Sequence, residues 1–503
     1  MHLLTATNAE INLRAVLPDA VFVGGGDVRV RGCSADTRRL QPGDLFAAVR
    51  GTRDDGHARI GEALARGCSA ILADRPLGEI AAGGCPVPLC YVEDAREAFG
   101  RVCHALAGDP SRSLKVVGIT GTNGKTTTSC LVASVLHTAG HGVGVLGTLG
   151  YFDGRTCHEA THTTPPADRL ADLLSQMVVH GCSHAVMEVS SHALDQSRTA
   201  GIAFDAACIT NVRRDHLDYH GSLSKYRSAK MRLLDSLSAE GFAVFNADDP
   251  ASAACLSGFA GPALTTGVHQ PAEITATPLD RCRSEQTFLL TAGSETIPVR
   301  TRMIGTHHVY NCLAATAVGL AYGIDLATVA RGLEAVDYVP GRLERIECGQ
   351  PFAVYVDYAH TADALAGVLG ALAEVTPGRV ICVFGAGGNR DRRKRPRMGR
   401  AVEAGAERAI LTTDNPRHED PERIARDLLA GFRNPAAATV IADRAEAICR
   451  ALAEAEPGDS VLIAGKGHET YQVVGDRRID FDDRTVVRTL LEESRDPRYG
   501  SRQ

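Results

Sequence analysis

Short apolar runs and longer stripes of helical spacing alternate along most of this chain. The clearest unit lies near its first quarter. Residues 114–119 read as a buried parallel strand, a glycine-rich turn follows, and Leu131, Val132, Val135 and Leu136 mark one face of a helix over 126–139. The alternation continues with candidate strands at 143–147, 185–189, 207–210 and 242–246, and with helices such as 170–180 and 225–237 between them. Strand and helix in strict turn predict a parallel sheet covered on both faces. Residues 263–299 are more strand-like and read as an antiparallel insertion; 308–323 read as an Ala-rich helix.

On either side of this unit the pattern resets. Before it, short strands are expected at 21–23, 28–30, 44–49 and 70–73, with helices at 60–66 and 95–106, and the turn-rich 108–111 then breaks the chain. After a second linker at 337–342, strands are expected at 352–356, 380–384, 409–411, 439–441 and 460–463, with helices at 362–374, 421–432 and 445–455. The expected fold class is therefore α/β in three domains: a small one over 1–110, a central parallel-sheet domain over 111–337, and a Rossmann-like domain over 338–503. A length of 503 residues agrees with more than one core.

Composition narrows the class. Apolar content of 44% and charged content of 23% are ordinary for a globular protein. A net charge of −6 argues against nucleic acid as the main partner, so positive contacts to an anionic substrate must be local. The fifteen cysteines are scattered without a Cys-x-x-Cys pair, which reads as reduced thiols. No apolar run reaches the length of a membrane span, and the first twenty residues carry Glu10, Arg14 and Asp19 rather than a leader core. A cytoplasmic monomer is expected.

The chemistry gathers at strand ends, where open α/β sheets hold their ligands. Gly118-Ile-Thr-Gly-Thr-Asn-Gly-Lys-Thr-Thr127 has the strand–turn–helix context of a phosphate loop, although Ile119 stands where the general pattern has its first glycine. Its amides would cradle phosphates, Lys125 would reach the β/γ-phosphates and the Thr126 hydroxyl would sit on Mg²⁺. Glu188, at a neighbouring strand end, is either a Mg²⁺ ligand or a surface acid capping the next helix. Asp215, His216, Asp218 and His220 either hold a metal or form a solvated loop. Lys230, from its position alone, reads as a solvated helical cation. For Asn311 the choice is a helix cap or an adenine contact, and spacing favours the cap. Further on, Asp357-Tyr-Ala-His360, Gly385–Asp391, Asp414-Asn-Pro-Arg417 and Gly465-Lys-Gly-His-Glu469 each follow a strand and face one rim. Arg390 and Arg417 suit bidentate carboxylate binding, and with Glu469 beside them they suggest a zwitterionic ligand.

These motifs, with Met187-Glu-Val-Ser-Ser-His192 and Asp215-His-Leu-Asp-Tyr-His220, resemble the Mur ligase family across all three domains and in family order. Asp414–Arg417 and Gly465–Glu469 resemble the members that add 2,6-diaminopimelate. The resemblance implies ATP-dependent amide bond formation through an acyl phosphate, on UDP-N-acetylmuramoyl-L-alanyl-D-glutamate with meso-diaminopimelate, in peptidoglycan precursor synthesis. It implies ATP contacts from Gly121, Thr122, Asn123, Gly124, Lys125, Thr126, Thr127, Asn311, Arg342 and Asp357. UDP contacts fall on Ala35, Thr37, Thr52, Arg53 and Asp54; the family often has Ser at the place of Thr37. The peptide end would meet His162, Thr163, Thr164, Ser190, Gln196 and Arg198; some relatives have Asn at the place of His162. Diaminopimelate would meet Arg390, Asp414, Asn415, Pro416, Arg417, Gly465 and Glu469. The implied catalytic set is Lys125, Glu188, His216 and Lys230, with Mg²⁺ on Thr126, Glu188 and Lys230. For the last, the resemblance reverses the reading from position, since its counterpart becomes a CO₂-derived carbamate. Rival readings are a lysine-adding relative, a folylpolyglutamate synthetase-like ligase, and a P-loop protein that hydrolyses ATP only to change shape.

Overall fold

The computed structural model describes residues 10–51, 54–77 and 84–493. The phosphate-loop unit forms as its pattern predicts. Strand Lys115–Thr120 lies inside an eleven-stranded sheet, between His184–Glu188 and Phe204–Ile209, and is parallel to both. Two β-branched faces explain its burial. Val117 and Ile119 pack with Leu131, Val132 and Val135 of helix Lys125–Thr138 on one side. Val116 packs with Leu170, Leu173 and Met177 of helix Ala167–Val179 on the other.

The region read as an antiparallel insertion is part of this same sheet. Strand Ala263–Gly267 pairs parallel with Leu237–Asn246, and Ile274–Arg281 pairs parallel with it in turn. Only Ile274–Arg281, Gln286–Ala292 and Glu295–Thr301 form an antiparallel meander at the sheet's end. The antiparallel reading therefore holds for 274–301 and not for Ala263–Gly267, whose parallel joint to Ile274–Arg281 spans only two residue pairs. The Ala-rich helix runs over Thr306–Ala321 and begins at Gly305, so Asn311 lies in its second turn and caps nothing.

The first domain carries a five-stranded sheet, Val21–Val23, Leu89–Tyr91, Ala70–Ala73, Leu45–Ala47 and Cys33–Ser34 in spatial order, with helix Ala95–Leu106 packed on it. Asp94 caps that helix through the amides of Arg96 and Glu97. The third domain has a six-stranded sheet in the order Glu344–Arg345, Ala353–Asp357, Ser460–Ala464, Val380–Phe384, Arg408–Leu411, Ala438–Val440. All five expected strands and the three expected helices are present. Helices Arg395–Gly405 and Asp483–Glu493 and the hairpin Tyr471–Val474/Arg477–Asp480 add to them. Among the described residues no helix is long and apolar enough to cross a membrane.

Candidate active site

A cavity of about 340 Å³ opens where the central and third domains face each other. Its floor is the turn 121–124 and the start of helix Lys125–Thr138; its roof is Asp357–His360 and the small-residue face of helix Ala362–Ala373. Gly124 has a left-handed φ of 87°, which a side chain resists, and it turns the chain into a helix whose first amides no side chain caps. Asn211 clamps the turn: its Oδ1 accepts from the Asn123 amide at 3.0 Å and its Nδ2 donates to the Asn123 carbonyl at 3.1 Å. An uncapped helix N-terminus presented to a cavity is an anion site.

Cationic and acidic side chains converge on this turn. Lys125 folds back, its Nζ 2.8 Å from the Gly121 carbonyl and 3.1 Å from that of Thr122. Burial lowers its pKa, opposed by the Glu188 carboxylate. The Thr126 hydroxyl donates to Glu188 Oε2 at 2.9 Å, and Arg342 Nη2 reaches Thr126 Oγ1 at 2.9 Å. Glu188 also accepts from the amide and hydroxyl of Thr148, at 2.8 and 3.1 Å. It is therefore a buried strand-end carboxylate, and the helix cap that follows is Ser190.

Lys230 is 1% exposed, and its Nζ donates to the Gly121 carbonyl at 2.8 Å. The reading from position alone, a solvated cation, is overturned. Burial, reinforced by Lys125, holds its pKa well below that of a free lysine, which favours the neutral and nucleophilic amine. Asn311 faces the phosphate turn, accepting from Thr128 Oγ1 at 3.2 Å. Asp357 sits under Arg342, accepting from the amides of Leu343 and Ala359, each at 2.6 Å. His216 adopts a left-handed φ of 52° and packs edge-on against His192 at 4.7 Å; burial brings its pKa to about 4, so it is a neutral imidazole at the cavity wall.

Next to the cavity, the predicted peptide-end residues form one cluster. Thr164 Oγ1 donates to the Glu188 carbonyl at 2.9 Å and accepts from the Ser190 amide at 3.0 Å. Arg198 donates to the Thr164 carbonyl at 3.0 Å and to Gln196 Oε1 at 2.7 Å, and Thr163 accepts from Thr148 Oγ1 at 3.2 Å. The His162 carbonyl accepts from Tyr151 at 2.5 Å.

In the third domain, outside the residues that line the cavity, the 385–391, 414–417 and 465–469 loops also meet. Arg417 has a φ of 53° and sends Nη1 to the Gly388 carbonyl at 2.9 Å, tying the 385–391 loop to the 414–417 loop. Among the described residues neither Arg417 nor Arg390 makes an ion pair, and burial together with the nearby Arg390 lowers the Arg417 pKa. A half-buried arginine with no counterion is arranged for an incoming carboxylate. Asn415 bridges to Glu469 Oε2 at 2.8 Å, and Asp414 lies against Gly465. Pro416 is buried between them.

Sequence reasoning missed several participants. Lys466 is fully buried and donates to Glu469 Oε2 at 3.0 Å; only its spacing of three from Glu469 signals this. Thr148 and Asn211 each follow a strand, which was the available signal. In the first domain Thr37 is buried and Ala35 exposed beside it, while Asp54 pairs with Arg59 at 3.1 Å. Thr52 and Arg53 lie outside the described residues.

Comparison with known proteins agrees domain by domain. Family models match residues 29–105 (Mur ligase family, catalytic domain), 119–319 (Mur ligase middle domain) and 341–467 (Mur ligase, glutamate ligase domain). A protein of Geobacillus thermodenitrificans (strain NG80-2) named UDP-N-acetylmuramoyl-L-alanyl-D-glutamate–2,6-diaminopimelate ligase is 42% identical over 478 residues, covering 94% of this chain and 96% of that one. A solved structure of a ligase with the same name superposes with a TM-score of 0.69 at 32% identity, covering 96% of this chain and 99% of that one. Folylpolyglutamate synthase of Mycobacterium tuberculosis shares the fold at a TM-score of 0.60 and 19% identity, over 74% of this chain and 92% of that one. The three domains are thus those of a known architecture, and the chain belongs to the Mur ligase family.

Proposed function

We propose that the chain joins meso-2,6-diaminopimelate to UDP-N-acetylmuramoyl-L-alanyl-D-glutamate at the expense of ATP, a step of peptidoglycan precursor synthesis. The observation that carries this is a phosphate turn in the cavity together with third-domain loops that hold Glu469 beside Arg417 and Arg390, neither of which makes an ion pair among the described residues. Full-length relatives bear the name of that ligase.

The chemistry follows from the two walls. A carboxylate does not condense with an amine unaided, because its oxygen is a poor leaving group. An oxygen of the D-glutamyl carboxylate attacks the γ-phosphorus, the bond to the β-phosphate oxygen breaks, and ADP departs. The amine of diaminopimelate then attacks the acyl carbon, loses a proton, and phosphate leaves. Lys125, Arg342 and the amides of 121–127 offset negative charge while the phosphoryl group moves. Thr163, Thr164, Ser190, Gln196 and Arg198 hold the peptide end against that turn, with Ala35, Thr37 and Asp54 at the UDP end. Asn311 orients the nucleotide. Arg417 and Arg390 take carboxylates of the incoming amino acid, while Glu469, with Asp414 and Gly465, receives its ammonium.

Mg²⁺ fits the hard oxygen donors Thr126 and Glu188, which lie 2.9 Å apart at the phosphate turn. When bound it would supply charge neutralisation between the phosphates. The amine of Lys230 can add to CO₂ with loss of one proton, giving a carbamate in place of a buried cation; its depressed pKa supports this. Intact mass measurement without acid should show one added CO₂, lost in Lys230→Arg.

The direct test supplies the purified chain with the nucleotide dipeptide, ATP and Mg²⁺, and compares diaminopimelate with lysine. Phosphate release and tripeptide product are expected with diaminopimelate. No product with it overturns the reading, and equal use of lysine overturns its specificity.

A further inference from the structure

The two walls of the cavity are joined by a stack of side chains. The Arg342 guanidinium, which touches Thr126 of the phosphate turn at 2.9 Å, lies 4.7 Å over the ring of Tyr358. The same ring also packs against His360 at 4.7 Å and against His468, one residue before Glu469, at 5.2 Å. The backbone beneath is equally close. The Tyr358 amide donates to the Gly341 carbonyl at 2.9 Å, and a Cβ on Gly467 would sit 2.8 Å from both that carbonyl and the Tyr358 Cβ. Nothing larger than glycine fits there, so the 465–469 loop, Tyr358 and the 341–342 linker move together.

Arg342 depends on this arrangement. Its Nε is buried with no hydrogen-bond partner among the described residues, so the guanidinium is backed by the aromatic face of Tyr358 along with the nearby Asp357 carboxylate. A desolvated guanidinium over a ring is held by the ring's quadrupole, and the hydroxyl is not required.

We propose that Tyr358 is a positioning residue that couples the amino-acid loop to the phosphate turn, seating Arg342 on Thr126 when the loop carrying Glu469 is ordered by its ligand. The inference rests on the reading above, in that Glu469 receives the ammonium of the incoming amino acid. Filling that site fixes Gly467 and His468, these fix the ring, and the ring fixes the guanidinium that meets the nucleotide. Amino-acid binding should therefore tighten nucleotide binding, and the reverse must hold to the same factor.

The test uses the full chain with Tyr358→Phe, Tyr358→Leu and, as a better filler of the space, Tyr358→Met. Two quantities are read: single-turnover ADP formation with the dipeptide, and the dissociation constant of a non-hydrolysable ATP analogue with and without diaminopimelate. The parent is expected to bind the analogue more tightly when diaminopimelate is present. Leu and Met should slow ADP formation about tenfold and lose that tightening, with diaminopimelate affinity measured without nucleotide within about twofold of the parent. Phe should match the parent. The proposal is overturned if Leu and Met keep both rate and coupling, if Phe behaves like Leu, or if the parent shows no coupling. It is also overturned if Leu and Met lose diaminopimelate affinity in step with the rate, which is the mark of a collapsed loop. A parent that makes no tripeptide at all would instead remove the assigned function, before any variant is compared.

Discussion

The most informative side chains are those whose surroundings contradict their ordinary chemistry. Lys125 and Lys230 are two amines that donate to one buried carbonyl, that of Gly121, and Arg417 is a guanidinium without an ion pair among the described residues. Removing the first should abolish activation of the carboxylate. Lys125→Ala is expected to slow dipeptide-dependent ADP formation by about 10²–10³-fold, read in a single-turnover assay. Arg417→Ala should lower kcat/KM for diaminopimelate by about 10–100-fold while leaving ATP binding within twofold, since it deletes a charge-assisted pair to one substrate only. The phosphate turn was legible because strand, glycines and helix occupy contiguous residues. Lys230 was not: its burial comes from a helix folding over the turn, which no local spacing encodes, and only the family resemblance pointed to it. Asn311 failed for a neighbouring reason. The helix cap lies six residues earlier than the cap reading required, at a glycine whose role depends on the strand before it.

At the scale of elements, amphipathic helices and longer buried parallel strands were readable, and very short strands were not. Cys33–Ser34 pairs through two residues and Leu89–Tyr91 through three, too few for a period to show. The hairpin Tyr471–Val474/Arg477–Asp480 is mostly solvated and offers no apolar alternation. Helices Arg444–Glu454 and Asp483–Glu493 are joined by a buried pair, Arg444 Nε to Asp483 Oδ1 at 2.7 Å with both side chains 0% exposed. Arg444→Ala leaves that carboxylate alone in the core and should destabilise the third domain by about 3–5 kcal/mol in denaturant melts. By contrast Arg478, paired with Glu159 across an exposed gap at 3.2 Å, should be replaceable by Ala within about 0.5 kcal/mol. Helix Ala95–Leu106 carries a different liability. His104 is 0% exposed against Gly201, both ring nitrogens lack partners among the described residues, and burial lowers its pKa from 6.5 to about 4. Below pH 6.5 the unfolded chain takes up a proton that the folded helix refuses. Stability should therefore fall as pH drops from 6.5 to about 4. The contribution is on the order of 3 kcal/mol, and His104→Leu should flatten that limb of the Tm-versus-pH curve.

At the scale of the whole molecule, the number of domains and their order were legible because each begins a fresh strand–helix alternation and is separated by turn-rich linkers. Their mutual placement was not, because it is written in side chains far apart in sequence, such as Tyr355 donating to the Arg283 carbonyl at 2.6 Å and the Arg281–Glu374 ion pair. Those contacts bring helix Ala362–Ala373 over the phosphate turn, so that the walls of one cavity belong to two separately folded bodies. The volume of that chamber is consequently set by an angle. An inhibitor shaped to fill it would act as a wedge that freezes the hinge at a single setting, and its potency would report how often the free enzyme visits that setting.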